Sequence, residues 1–487
     1  MLTHERFAGP GLLLSVVLVF GLFSNSAAQN PAGSSPKPST TGWKIKFDES
    51  GSSPVIADGV LYIGSADGEV YALDPAMGET KWHFQTGESL SSASSGGQII
   101  TVPKGTSAID QMVAGMKAAE KQKEQGIKRV DMTPVVENGT VFVGSGDRSF
   151  YAIDAATGKK KWSYDMGYAM ANNNNTSFPV PPAVVGDGTI YFSTADGLHA
   201  IDALTGKRKW LFETWQANYF DTKHAAQGPV LGDGLIYLTL WVYTDPNTQK
   251  SILYAIDPES GKPKWMTNVG GWDVTAPATS KGLAFFAVED PGPTPTSFSG
   301  RETLYAINAA DGQIKWKVNT GRKYRTQLLI AGDAIYLSTD TNLLALQLET
   351  GHQIWSFSAD EISGIRTDNE RLYVATHKGS IMRPKDTLHA LALSTGQEKW
   401  SQDFSGSAVV AAIQDGVVYA GQGHLHAIDS ATGKELWSFK GTGRESARLI
   451  SGGRIFLTSP TVDYIGTKRV DQGYLYALDA KTGKLKP

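Results

Sequence analysis

The chain has 487 residues, 41% hydrophobic and 19% charged, with a formal net charge of -3. That apolar share excludes a disordered chain, and near-neutrality leaves no electrostatic footprint for nucleic acid. The sequence contains no cysteine, which removes disulfides, thiolate metal sites, covalently attached haem and any lipid anchor built on a thiol.

At the N terminus an apolar run from Gly11 to Phe23 leads to Ser26-Ala27-Ala28, small residues at the spacing a signal peptidase reads. The run is shorter than the roughly 20 residues a membrane span needs. Residues 1–28 therefore read as a cleaved secretory signal, and residues 29–42, QNPAGSSPKPSTTG, as a flexible leader with little to bury. The expectation is a periplasmic or secreted protein, monomeric, with no membrane anchor after cleavage.

From Trp43 onward the chain repeats itself. YALDPAMGETKW ends at Trp82, YAIDAATGKKKW at Trp162 and HAIDALTGKRKW at Trp210, and variants end at Trp265, Trp316, Trp355, Trp400 and Trp437. A ninth copy, YALDAKTGKLK, stops without its tryptophan, and Trp43 at the other end of the folded chain is placed to supply it. Each unit reads as four strands, as in Pro134 to Val136, Val141 to Val143, Phe150 to Asp154 and Lys161 to Tyr164. Asn-Gly or Asp-Gly follows the first strand and Thr-Gly separates the last two. The Asp of the A-x-D-x-x-T-G motif can accept from turn amides while its Gly takes positive φ.

A unit of about 40 residues with two apolar faces cannot stand alone, so the copies stack radially into an all-β propeller. Nine copies predict nine four-stranded blades over residues 43–487, the last closed by an N-terminal strand carrying Trp43. An insertion at 85–131 holds Ser107 to Gln125, which has the caps and the apolar face of an amphipathic helix.

The repeat A-[IL]-D-x-x-T-G-x-x-x-W resembles that of the PQQ-like (quinoprotein alcohol dehydrogenase-like) propellers, which include PQQ-dependent dehydrogenases and BamB-type assembly factors. Eight blades are usual there, so nine is a departure. The resemblance implies that the tryptophans dock one blade on the next. In the dehydrogenases it also implies PQQ over calcium in a central funnel, against a disulfide of adjacent cysteines. That disulfide has no counterpart here, nor has the N-terminal cysteine of BamB-type lipoproteins.

The D-G and T-G turns fall on one face, and the longer segments at 85–131, 165–181, 213–227, 241–252, 288–303, 377–387 and 459–473 fall on the other. Long connections on a rigid scaffold are where binding resides, so the loop-rich face is the expected functional face. Residues near the starts of the first strands converge on the channel mouth. His224, Trp272-Asp273, Arg325, Arg366 and Arg444 stand there, a cationic, aromatic-rimmed funnel suited to a carboxylate-bearing ligand. Two main readings stay open. One is an exported scaffold binding a protein or a small anionic ligand. The other is a PQQ-dependent oxidoreductase using PQQ and calcium, with Asp273 as base and Arg325, Arg366 and Arg444 on the cofactor carboxylates. Trp215, Tyr219, Trp241 and Tyr243 leave room for a sugar-binding propeller. Weaker signals are the His424/His426 pair, which lacks a third metal ligand, and the loop acids Glu289, Asp290, Asp463 and Asp471 as calcium ligands.

Overall fold

Strand pairing turns each sequence repeat into one sheet. The structure, a computed structural model, describes residues 42–47, 52–87, 130, 132–166, 183–194, 197–214, 226–245, 248–291, 298–321, 328–339, 341–359, 361–380, 383–404, 409–421, 424–441, 446–465 and 468–485. The segment expected to be helical at 107–125 lies outside them, as do the signal and the leader. The described residues form nine antiparallel sheets, eight of four strands and one of five. These are the blades of a nine-bladed β-propeller, numbered here by their strands: blade 1 is 55–85, blade 2 is 135–165, blade 3 is 184–213, blade 4 is 226–268, blade 5 is 272–319, blade 6 is 328–358, blade 7 is 362–404, blade 8 is 410–440 and blade 9 is 446–479 with 43–47. In blade 5 the first strand is split into Trp272–Val274 and Ala278–Ser280, both paired with the second strand.

Closure is by the N-terminal strand. Trp43–Phe47 pairs antiparallel with Lys468–Asp479, from Trp43 opposite Ala477 to Phe47 opposite Gly473. The last blade thus takes its fourth strand from the beginning of the chain, which covers the edge that Lys468–Asp479 would otherwise expose.

One row of side chains crosses every blade in the same register. In blade 1 it runs Val55, Tyr62, Ala72, Trp82, and in blade 3 Val184, Tyr191, Ala200, Trp210. The second-strand member is Tyr or Phe in all nine blades, and its ring centroid lies 5.7 to 6.0 Å from that of the tryptophan. The two rings sit on strands separated by a third, so they meet only if the residue between them is small. That residue is the alanine of the motif, fully buried in every blade.

The indole then couples blades. Each tryptophan Nε1 donates to a backbone carbonyl in the third-to-fourth turn of the next blade, at 2.9 to 3.1 Å. The ring lies flat on the glycine of that turn. A Cβ built on Gly206 would stand 2.6 Å from Trp162 Cδ2, and one on Gly158 2.7 Å from Trp82 Cδ2. Glycine is needed there twice, for its positive φ of 71° at both positions and for the space the indole fills. The cycle closes on Trp43, which covers Gly78 and donates to the Pro75 carbonyl of blade 1.

The aspartate of the motif does what its spacing predicts. Asp154 Oδ1 accepts from the Thr157 amide at 2.9 Å and from its hydroxyl at 2.7 Å, and the Gly158 amide donates to the Asp154 carbonyl at 2.9 Å. The same pair recurs at Asp202 with Thr205, Asp429 with Thr432 and Asp479 with Thr482.

Candidate functional site

The antiparallel order gives the two ends of the propeller opposite character. At one end every first-to-second connection is tight. Asp58-Gly59 and Asp187-Gly188 hold both central residues at positive φ, 49° and 73° in one and 49° and 68° in the other, which is the type I′ geometry that matches strand twist. The Thr-Gly turns lie at the same end.

At the other end, four blades extend their second and third strands: Leu235–Asp245 with Thr248–Ile256 in blade 4, Leu283–Pro291 with Phe298–Asn308 in blade 5, Arg371–Ser380 with Arg383–Ala392 in blade 7, and Arg454–Ile465 with Lys468–Asp479 in blade 9. In blade 7 the first strand stops pairing at Thr376 and the fourth at Asp386, while the central pair continues to Ser380 opposite Arg383. The described residues of the segments read from sequence as long loops at 241–252, 288–303, 377–387 and 459–473 are therefore paired strands that extend the blades. Alternating β-branched and aromatic residues, as in LTLWVYT from Leu238 to Thr244, continue the strand pattern to a two-residue tip in three of the four.

Side chains brace the bases of these ribbons. In blade 7 His377 Nδ1 lies 2.5 Å from Asp386 Oδ1 across the strand pair, and the His377 amide donates to the Glu361 carbonyl at 2.9 Å. In blade 5 Asp290 Oδ2 accepts from Thr303 Oγ1 at 3.0 Å and Asn319 Nδ2 at 2.9 Å, tying the second, third and fourth strands together. A histidine pair lies on the third strand of blade 8, with ring centroids of His424 and His426 4.3 Å apart and His426 edge-on to Phe404 of blade 7 at 4.8 Å. His426 Nδ1 is 2.7 Å from Glu435 Oε2, and His424 is held below the usual imidazole range, first by burial and then by His426.

The residues expected to converge on the mouth are distributed as follows. Trp272 and Asp273 form part of the split first strand of blade 5. Arg366 lies within the first strand of blade 7, Ile362–Thr367, close to its turn end. These two positions are two blades apart. His224, Arg325 and Arg444 lie outside the described residues, as do the ring-bearing Trp215 and Tyr219. Among the described residues no three His, Asp or Glu side chains converge as metal ligands.

Sequence reasoning missed the second-strand aromatic that completes each tryptophan dock. Its signal was present in seven blades as a Tyr or Phe three residues after the turn glycine, as at Gly59 and Tyr62, but only the register shows its purpose. A groove of about 620 Å³ also opens on the turn face between blades 6 and 7, over Tyr336 and Trp355. There Gln347 and Ile354 replace the motif Asp and Lys that pair in other blades, as Lys161 does with Asp154 at 3.4 Å.

The model of a family described as outer membrane protein assembly factor BamB matches residues 34–120, 117–214, 212–364, 287–384 and 345–486. The chain belongs to the BamB-like family of PQQ-type propellers. A relative from Yersinia pestis named outer membrane protein assembly factor BamB is 24% identical over 227 residues, covering 42% of this chain and 50% of the relative. The chain thus spans about half the length of that curated relative. Among solved structures, BamB from Moraxella catarrhalis is 14% identical with a TM-score of 0.44, covering 80% of this chain and 96% of that one. A quinohemoprotein alcohol dehydrogenase from Comamonas testosteroni is 14% identical with a TM-score of 0.49, covering 92% and 77%. A shared propeller does not fix a shared activity, so the role of this BamB-like chain rests on its own surfaces.

Proposed function

We propose that this chain is an exported protein-interaction scaffold of the cell envelope that docks its partner on the loop-rich face. The observation that carries the reading is the asymmetry of the two ends. Nine blades locked by one repeated tryptophan dock leave a uniform turn face, while four ribbons rise from the opposite face on a scaffold too rigid to need them for stability. Extended β-ribbons offer unpaired backbone and side-chain rows suited to another polypeptide rather than an enclosed small-molecule site. The naming of relatives as outer membrane protein assembly factors supports the same direction.

The absence of cysteine gives a direct test, since any cysteine introduced is the only thiol. Val242→Cys, Lys378→Cys and Val462→Cys place a photocrosslinker on three ribbons; Lys207→Cys and Lys262→Cys place it on the turn face. Irradiation of intact cells is expected to give a discrete protein adduct from the ribbon positions and none from the turns. Adducts from the turn positions alone, or alcohol oxidation by the purified protein after addition of PQQ and calcium, would show the reading to be wrong.

A further inference from the structure

Two turn tips carry apolar side chains that the fold does not use. Leu204, two residues after the motif Asp of blade 3, is 85% exposed, and the same position holds Ala, Ser, Glu or Lys in the other eight blades. Met77, three residues after Asp74 in blade 1, is 55% exposed where the other eight blades have Thr, Ser or Asp. The hairpin therefore accepts small or polar residues at both tips, and each apolar side chain forfeits the gain that burial would bring.

Cations stand between them. Lys159, Lys160 and Lys161 in blade 2 and Lys207, Arg208 and Lys209 in blade 3 are all exposed at the start of the outer strand. Lys161 and Lys209 lie 3.4 and 3.9 Å from their motif aspartates, and among the described residues no carboxylate pairs with the other four. The excess is local. The corresponding segment of blade 6, 347–354, holds Glu349 and no Lys or Arg, and that of blade 8, 429–436, sets Asp429 and Glu435 against Lys434.

The tryptophan dock holds these hairpins side by side. Trp43 Nε1 donates to the Pro75 carbonyl near Met77, Trp82 Nε1 to Ala155 and Trp162 Nε1 to Ala203, so blades 1, 2 and 3 present one patch with Met77 and Leu204 on either side of the blade 2 lysines. The chain enters the fold at the same place, because Gly42 bridges Leu485 at the turn end. Residues 1–41, with the apolar run from Gly11 to Phe23, are thus attached beside the Met77 turn and away from the ribbons.

We propose that the turn face of blades 1 to 3 is a contact surface for an anionic lipid bilayer, on which the cations meet the headgroups while Leu204 and Met77 enter the interface. An acidic protein would need only the charge. Exposed apolar tips among unpaired cations suit a bilayer surface, where apolar burial and headgroup attraction add. Uniformly short turns also make this end level, as a bilayer is, and the ribbons then point away from it. The contact stands whether or not a partner docks on the ribbons.

The test mixes the exported protein with vesicles of phosphatidylglycerol and phosphatidylcholine in equal parts, and with vesicles of phosphatidylcholine alone. Cosedimentation is expected with the anionic vesicles only, falling as salt is raised. Lys160→Glu combined with Arg208→Glu should weaken it by at least about tenfold at an unchanged thermal midpoint. Leu204→Ser, which alters no charge, should weaken it by about five- to tenfold. In this cysteine-free chain Leu204→Cys and Val242→Cys each carry a single environment-sensitive dye. Anionic vesicles should shift its emission to the blue at 204 and leave it unchanged at 242. No sedimentation, equal binding by the double charge variant, a shift at 242 in place of 204, or binding indifferent to Leu204→Ser, which would mark a charge-only surface for an acidic protein, would overturn the proposal.

Discussion

Two glycines in blade 3 separate the tryptophan dock from ordinary turn geometry. Gly188 and Gly206 have nearly equal φ, 68° and 71°. A Cβ on Gly188 would meet nothing within 4 Å, whereas one on Gly206 would stand 2.6 Å from Cδ2 and 2.7 Å from Cε3 of Trp162. Replacing either with alanine forces an L-residue into the left-handed region, at about 1–2 kcal/mol. The unfolded-chain gain of about 0.4–1 kcal/mol is common to both and cancels in the comparison. Gly206→Ala must also displace an indole, an overpacking cost of about 1–3 kcal/mol. The variant is therefore expected to be less stable than Gly188→Ala by about 1–3 kcal/mol. Urea unfolding followed by tryptophan fluorescence and by circular dichroism measures this, with coincidence of the two probes checked because a chain of this size can unfold in steps. In a Trp162→Ala background the indole is gone, and Gly206→Ala should cost no more than Gly188→Ala. Equal costs in the unaltered background, or a difference that survives removal of Trp162, would refute the docking argument.

Trp43→Ala should lower the thermal midpoint as much as removal of a mid-chain docking tryptophan, by about 3–5 kcal/mol of stability, because Trp43 covers Gly78 and bonds Pro75 as the others do their neighbours; a negligible shift would mean the ring does not depend on its N-terminal strand. The carboxyls of Asp154, Asp202 and Asp429 are held below the usual range chiefly by their threonine hydroxyls. A folded pKa below the unfolded value stabilises above about pH 4 and is lost as pH falls through that range, so Thr205→Ala should move the Asp202 titration upward by NMR, and an unmoved titration contradicts the assignment. Burial pushes Tyr237, Tyr336 and Tyr419 up to about 12. With folded values above unfolded ones, stability should decline as pH rises past about 10, and ultraviolet titration should show these phenols ionising only with unfolding; full ionisation near pH 10 in the folded protein would be inconsistent with their burial.

The repeat by itself determined the fold class, the count of nine blades and the role of Trp43, because each turn and each strand alternation is a local property of a short stretch of chain. The turn chemistry of Asp154, Thr157 and Gly158 was equally legible, since all its bonds close within one hairpin. The ribbons were read only as long loops, because a strand that continues past its neighbours differs from a loop by its partner and not by its own residues. What the tertiary structure decided was register. The Val-Tyr-Ala-Trp row is spread over four strands and ends on a carbonyl of the next blade, so its members are not neighbours in any local window. Register sets Arg366 opposite Tyr373, at the row position that is aliphatic in the other eight blades. The sequence could show that an arginine was there, but only the closed ring could show that every other blade does without one.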